Sequence, residues 1–490
     1  MVLQLWPWRT LWAGDERHGP GKQQVRDRQE GDLQERKFMN TQSQWAKDKD
    51  GSTGWMAART QAVAKLGRRP FVYGALVTFS VLYYYRPEDF VPGLSYIPMA
   101  RIAGVIGAVA LAFGMMSGGR AKVPQVVKIL WLLLLQMALC VPLALWPGGA
   151  FSRVFDNYAK GVIVAMLISM AVVTTWELRK LLWIQVSAVA LVTVASILLD
   201  HFRDGRLQGI QKSILQNPND LAINIAISFP IGLAFMLHAR GFRKVLWGIA
   251  LVFMALGVVL TYSRSGLLAL ILSLAICVWE YGIKGKRRSI VVVTVVALVI
   301  GLGAALSTAH YRARVESIFL GNIEGSGDKG SLDARKALLK KSILIAVKHP
   351  LVGVGPGCFL LVDQGWVVAH NSYTELAAEA GFPALFLFLW AVGASLKNIA
   401  QARKSTHYKE DSEFRLFTQA LWAGILAYLA GACFASTEYT LYPYFMMAYT
   451  CAMVRISNQP LTDPVQGGEQ RRLNRAIYDR IPQPQLISGR

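Results

Sequence analysis

The sequence predicts an all-α polytopic membrane protein, a bundle of about twelve transmembrane helices interrupted by one large polar loop. Of its 490 residues, 53% are hydrophobic, and apolar runs of roughly 20 residues recur along most of the chain. A single sizeable polar insertion, from about Thr308 to Ser372, separates such runs.

Hydropathy places the spans near 71–85, 99–116, 126–146, 158–176, 180–199, 219–237, 244–262, 265–283, 289–308, 376–396, 416–436 and 440–457. The organisation that follows is a polar tail over 1–70, nine helices over 71–308, the large loop over 309–375, three helices over 376–457, and a second tail over 458–490. The first tail is rich in Gln, Arg, Asp and Lys and lacks the short apolar core of a signal peptide, so it reads as disordered. Met56 opens an ordinary basic lead into the first span, which leaves open whether residues 1–55 belong to the native protein.

A formal charge of +22 would suggest nucleic acid in a soluble chain, but here the cations sit in short loops between apolar runs. With a cytoplasmic N-terminus, the inner loops hold Arg120, Lys122, Arg179, Lys180, Arg240, Arg243, Lys244, Lys284, Lys286, Arg287, Arg288, Lys397, Arg403, Lys404, Lys409 and Arg415. The outer loops hold chiefly Arg86, Arg153, Arg203, Arg206 and Lys212. The positive-inside rule therefore puts both termini in the cytoplasm and the large loop outside. Cys140, Cys277, Cys358, Cys433 and Cys451 show no paired or metal-ligand spacing, so neither a disulfide framework nor a metal site is expected.

Four polar sites gather at the outer face. Arg206 follows Gly205 and precedes Asn217-Pro218-Asn219-Asp220, where an asparagine can cap a helix and Pro218 suits its first turn. Arg206 is either a solvated interfacial arginine or a ligand-binding one. Thr261-Tyr262-Ser263-Arg264-Ser265-Gly266 is a tight hinge between two apolar runs. An arginine deep in the bilayer costs roughly 2–3 kcal/mol, so Arg264 either pairs with an anion in a wet cavity or snorkels to the interface. The amphipathic segment 331–347 has Ser331 as its candidate N-cap, Arg335 in its first turn and His349-Pro350 as its terminator. Its Lys336, Lys340 and Lys341 read as a solvated or headgroup face. Lastly, Ser372-x-x-Glu375 has the form of a capping box that starts a helix at about Tyr373, with His370 just ahead of it. A neutral imidazole there can take a proton from a hydroxyl or can simply hydrogen-bond its own loop. Gly381-Phe382-Pro383 bends or restarts the chain soon after.

These motifs together resemble the O-antigen ligase and O-antigen polymerase superfamily of bacterial envelope glycosyltransferases. The resemblance rests on Thr261 to Gly266, on Arg335 followed by His349-Pro350-Leu351-Val352-Gly353-Val354-Gly355-Pro356-Gly357, and on His370-Asn371-Ser372-Tyr373, in that order around one outer loop. It implies a GT-C-like membrane fold in the bacterial inner membrane with a periplasmic active site. It further implies an undecaprenyl-diphosphate-linked glycan as donor and a hydroxyl acceptor, of which lipid A-core oligosaccharide is favoured. Other glycan acceptors belong to polymerases, and protein hydroxyls to a further branch. By the same resemblance His370 is catalytic, Arg264, Arg335 and more loosely Arg206 bind the diphosphate, and Asn371, Tyr373 and Ser263 support them. No cofactor, metal or nucleic acid is implied, and the partners are the two substrates and membrane lipids. The competing class is a transporter or flippase for lipid-linked glycans, which calls for charged or broken helices at the midplane and a repeat between halves.

Overall fold

In hydrocarbon every backbone N–H and C=O has to pair within its own segment, which turns apolar runs of this length into helices. The computed structural model of the chain describes residues 70–85, 99–116, 122–203, 205–209, 215–285, 328–362 and 368–459. Its main helices are α1 (Pro70–Tyr85), α2 (Met99–Met116), α3 (Gln125–Leu143), α4 (Pro147–Ala171), α5 (Thr175–Leu198), α6 (Pro218–His238), α7 (Phe242–Leu260), α8 (Arg264–Ile283), α9 (Asp328–Lys348), α10 (Ser372–Arg403), α11 (Ser412–Ala432) and α12 (Tyr442–Ser457). Seven of them, α3 to α8 and α10, are long and apolar enough to cross a membrane. The chain is an all-α polytopic membrane protein. The expected tails, the span at 289–308, and loop residues 309–327 and 363–367 lie outside the described residues.

Two expected boundaries move. The helix expected over 158–176 instead begins at Pro147, where a proline is tolerated because its missing N–H is unneeded in the first turn. It then widens into a π-turn over Ser152–Tyr158. Arg153, expected in a short loop, thus becomes part of α4. Helix α9 begins at Asp328 rather than at Ser331, with an acidic residue at its positive end, so Arg335 lies in its second turn rather than its first.

Helix α6 is the most enclosed span, with 83% of its apolar window buried, against 22% for the peripheral α7. Small residues allow this enclosure. A Cβ on Gly266 of α8 would stand 2.2 Å from that of Ala222, and one on Gly424 of α11 would stand 2.9 Å from the carbonyl of Ile227. Such close approach of backbones supplies the van der Waals contact that associates helices in lipid, where apolar burial alone does not.

Helix α10 breaks at Gly381, whose φ of 80° is left-handed, and Pro383 follows. A proline two residues on removes a ladder donor and crowds the carbonyl of residue 379, so carbonyls near the break need other partners. They find them in the segment after α9. Val354 N–H donates to Ala378 O and Gly355 N–H to Glu379 O, both at 2.9 Å, while Gln136 Nε2 reaches Ala380 O at 3.1 Å and Leu351 O at 2.8 Å. Gly353, Gly355 and Gly357 have φ of 63°, 106° and 74°. A side chain on Gly353 would stand 2.3 Å from the backbone of Glu379.

At the far end of α10, buried Glu280 pairs with Arg403 at 3.1 Å and Lys284 at 3.3 Å, and Arg179 pairs with Glu413 at 3.2 Å. These pairs tie α8 to α10 and α5 to α11.

Gly353→Ala and Gly381→Ala should each lose about 1–2 kcal/mol from the left-handed backbone alone, with steric overlap added. Gly393→Ala, where a Cβ meets nothing within 4 Å and helix propensity improves, should be neutral or stabilising. Thermal unfolding of the purified variants in detergent measures the contrast.

Candidate functional site

The joins between helices at one end of the bundle carry the polar residues. Between α5 and α6 a two-stranded hairpin pairs β1 (Phe202–Arg203) with β2 (Arg206–Leu207), turning at Gly205 and anchored by fully buried Leu207. From β2 the Arg206 guanidinium donates through Nε to Thr261 O and through a terminal nitrogen to Asn219 Oδ1, both at 2.9 Å. Arg206 is therefore not simply a solvated interfacial residue: it ties the head of α6 to the α7–α8 hinge. Asn217 caps α6, its Oδ1 accepting from Asn219 N–H at 2.8 Å.

Arg264 is the first residue of α8. Ser263 caps that helix, its Oγ accepting from Gly266 N–H at 3.2 Å and bonding Ser265 Oγ at 3.0 Å. Tyr262 ahead of them has a left-handed φ of 49°, uncommon for a non-glycine residue. The serine cap thus sets where the Arg264 side chain leaves the hinge.

His370 is another left-handed non-glycine at this end, with φ 55°. Its N–H donates to Ser436 Oγ at 3.1 Å, and the Ser436 hydroxyl in turn contacts the Glu375 carboxylate. Asn371 caps α10, accepting from Tyr373 and Thr374 N–H at 3.0 Å each and donating to Cys433 O at 3.0 Å. The expected Ser372–Glu375 capping box does not form. An asparagine one residue earlier already satisfies the first amides, which frees Ser372 to bond Ala435 O and Thr437 N–H, and Glu375 to accept from Ala369 N–H at 2.9 Å. Tyr373 donates to Leu429 O at 2.9 Å.

Helix α9 packs beside α10, with Ser342 donating to Thr374 Oγ1 at 2.9 Å. Burial first, and then the Arg335 guanidinium nearby, push the His370 imidazole below its ordinary pKa. Both favour the neutral ring. Lys341 departs from the expected headgroup face, because the chain folds back and offers Val362 O at 2.8 Å.

The site residues thus come together as two pairs, Arg206 with the Arg264 hinge and Arg335 with His370. Between the heads of α6 and α10 lies a cavity of about 790 Å³ that Asp220, Glu375 and Ser436 all touch. It is within the usual size range of ligand pockets. Its wall also carries Glu379, Glu438, Arg101 and Lys160, which nothing in the sequence pattern placed here, and Arg153, expected only as an outer-loop cation. The Arg153 guanidinium lies over the Tyr439 ring, 5.3 Å from its centroid. Glu438 sits in the turn before α12, and burial, then the Glu375 and Glu379 carboxylates, push its pKa up. Glu375 and Glu379, four residues apart and so on one face of an apolar helix, were the available signal.

Residues 249–389 match the family model described as O-antigen ligase. That stretch holds Ser263, Arg264, Arg335, His370, Asn371 and Tyr373, and the match supports a likeness to the O-antigen ligase and polymerase superfamily. A comparison with curated proteins found no match.

Asn371→Ala should lose about 1–2 kcal/mol, since it removes both the cap and the bond to Cys433 O, while Asn371→Gly, which keeps a tolerated cap residue, should lose less. Denaturation midpoints of the two variants against wild type check the order.

Proposed function

We propose that this chain is an O-antigen ligase-like glycosyltransferase. It moves a glycan from undecaprenyl diphosphate to a hydroxyl acceptor, lipid A-core oligosaccharide, at the periplasmic face of the inner membrane. The observation that carries the reading is a half-buried imidazole, His370, held neutral beside Arg335 within the stretch that matches O-antigen ligase.

The chemistry follows from the groups present. The acceptor hydroxyl attacks the anomeric carbon and gives its proton to His370, while the anomeric C–O bond breaks and the diphosphate leaves with the bonding electrons. A single displacement of this kind inverts the anomeric centre. Negative charge grows on the leaving diphosphate, and guanidinium groups, always charged and able to bind phosphate through two parallel bonds, can neutralise it without a metal ion there. Arg264 and Arg335 have this role, and Arg206 adds to it while bracing the Arg264 hinge. A transporter reading is less well supported. The break in α10 does free backbone carbonyls, but the protein's own loop and Gln136 fill them rather than leaving them to a substrate path.

In a lipid-reconstituted assay with an undecaprenyl-diphosphate glycan, His370→Ala should lower turnover by about 10²–10⁴-fold in a folded protein. Wild-type turnover in that variant excludes the base. Arg264→Ala and Arg335→Ala should each lose about 10²–10³-fold, and the lysine variants should recover only part of it. Because a depressed His370 pKa keeps the base neutral at neutral pH, kcat/KM should fall only as pH drops below the ordinary histidine range. In a deletion strain, glycan profiling should show lipid-linked polymer accumulating while polymer is lost from lipid A-core. Single-repeat products would assign a polymerase instead.

A further inference from the structure

Three buried carboxylates beside this site have no part in the transfer just described. Glu375 and Glu379 project from the first turns of α10, Glu438 from the turn that precedes α12, and none is more than 3% exposed. One oxygen from each lies within 4.8 Å of the others. Glu379 accepts at both oxygens, from Gly357 N–H at 2.8 Å, Tyr439 hydroxyl at 2.6 Å and Phe359 N–H at 3.0 Å. Glu375 accepts from Ala369 N–H and Ser436 hydroxyl. Glu379 therefore behaves as an acceptor at both oxygens, the role of an ionised carboxylate, while Glu375 accepts at Oε2. Glu438 Oε2 is buried and has no hydrogen-bond partner among the described residues, although the cavity lies against it.

The charge on this trio is unbalanced. The cation that faces it is Arg153, which reaches over the Tyr439 ring, so three carboxylates meet one guanidinium. Buried charges require pairing, and an orphaned oxygen at a cavity wall lacks a partner that must come from the cavity. A divalent cation, which binds carboxylates in their ionised form, would take the place of the proton that burial favours on Glu438, ligate its Oε2 and bring the sum of charges to zero.

We infer that Glu375, Glu379 and Glu438 form a divalent-cation site that takes Ca²⁺ in preference to Mg²⁺. Oxygens within 4.8 Å of one another can share one ion; Mg²⁺ dehydrates reluctantly and demands near-ideal octahedral geometry, whereas Ca²⁺ accepts irregular sets of carboxylates, so a buried trio suits the larger ion. Such an ion would join the head of α10 to the turn at residues 436–441. Ser436 in that turn holds the His370 N–H, so the ion stiffens the ledge on which His370 sits. It acts apart from the diphosphate-binding arginines, and its binding is measured without any transfer reaction.

The test is calcium titration of the purified full-length protein in detergent, stripped of divalent ions, followed by calorimetry and thermal unfolding. One saturable Ca²⁺ site with Kd of about 10⁻⁴–10⁻³ M is expected, with Mg²⁺ at least about tenfold weaker and Tm rising with Ca²⁺ alone. Glu438→Gln should weaken Ca²⁺ by about tenfold or more, and Arg153→Gln, which removes the opposing charge, should tighten it several-fold. Absence of saturable Ca²⁺ binding between about pH 6 and 8 would mean that the trio holds protons only, and would overturn the inference. So would an affinity unmoved by Glu438→Gln. If that variant does not fold, Arg153→Gln decides, and an unchanged Ca²⁺ affinity there overturns the site.

Discussion

The break in α10 is the constraint on which the rest of this end of the protein depends. A helix interrupted at Gly381 and Pro383 inside a bundle exposes carbonyls that hydrocarbon cannot satisfy. The glycine-rich segment 353–357 satisfies two of them through Val354 and Gly355, because left-handed Gly353, with no side chain, lets its backbone approach that of α10. Glu379 then clasps the same segment from the side through Gly357 and Phe359. The break, the glycines and the buried glutamate are mutually required. Together they hold the first half of α10, whose start is set by the Asn371 cap beside His370.

The two ends of the bundle are held by different physics. At one, ion pairs such as Arg179–Glu413 and Glu280–Arg403 join helix ends between charged side chains. At the other, backbone carbonyls, hydroxyls and caps make the joins, and non-glycine residues, Tyr262 and His370 among them, are kept in left-handed conformations. Such conformations cost of order 1–3 kcal/mol each and persist only where the surroundings over-determine them. At His370 the bond to Ser436 and the Asn371 cap supply that constraint; at Tyr262 the Arg206–Thr261 bond and the Ser263 cap do so. Strain is thus concentrated where transfer chemistry is proposed, while the far end is stapled.

Charge is also partitioned. Arginines arrive at the site from three separate elements, β2, α8 and α9, a distribution suited to an extended anion. The carboxylates lie together in the cavity wall, which also carries Arg153. The inferred cation among them would balance their charge and rigidify the ledge that carries His370. The proposed transfer and the inferred ion site thus meet at Ser436, and they stand or fall on different measurements.

Much of this was legible in the one-dimensional pattern. Apolar runs of membrane length marked the helices, since lipid allows few other solutions; the helix from Met99 to Met116 falls on its expected bounds. Tight polar hinges pointed to Arg264 and His370, because capping residues, proline and glycine act over a few neighbours. What lay beyond reach depended on distance in the chain. Ser372 and Glu375 have the spacing of a capping box, but partners at Ala435, Thr437 and Ser436 take up their side chains, and local periodicity carries no information about those contacts. Arg206 acquired its role from Thr261, and Arg153 entered the cavity because α4 begins earlier than hydropathy indicates. The glutamate trio assembles only when the turn before α12 folds against the head of α10. Local pattern therefore sufficed for helices and hinges, whereas the carboxylate cluster and the second role of the arginines came from packing between elements far apart in sequence.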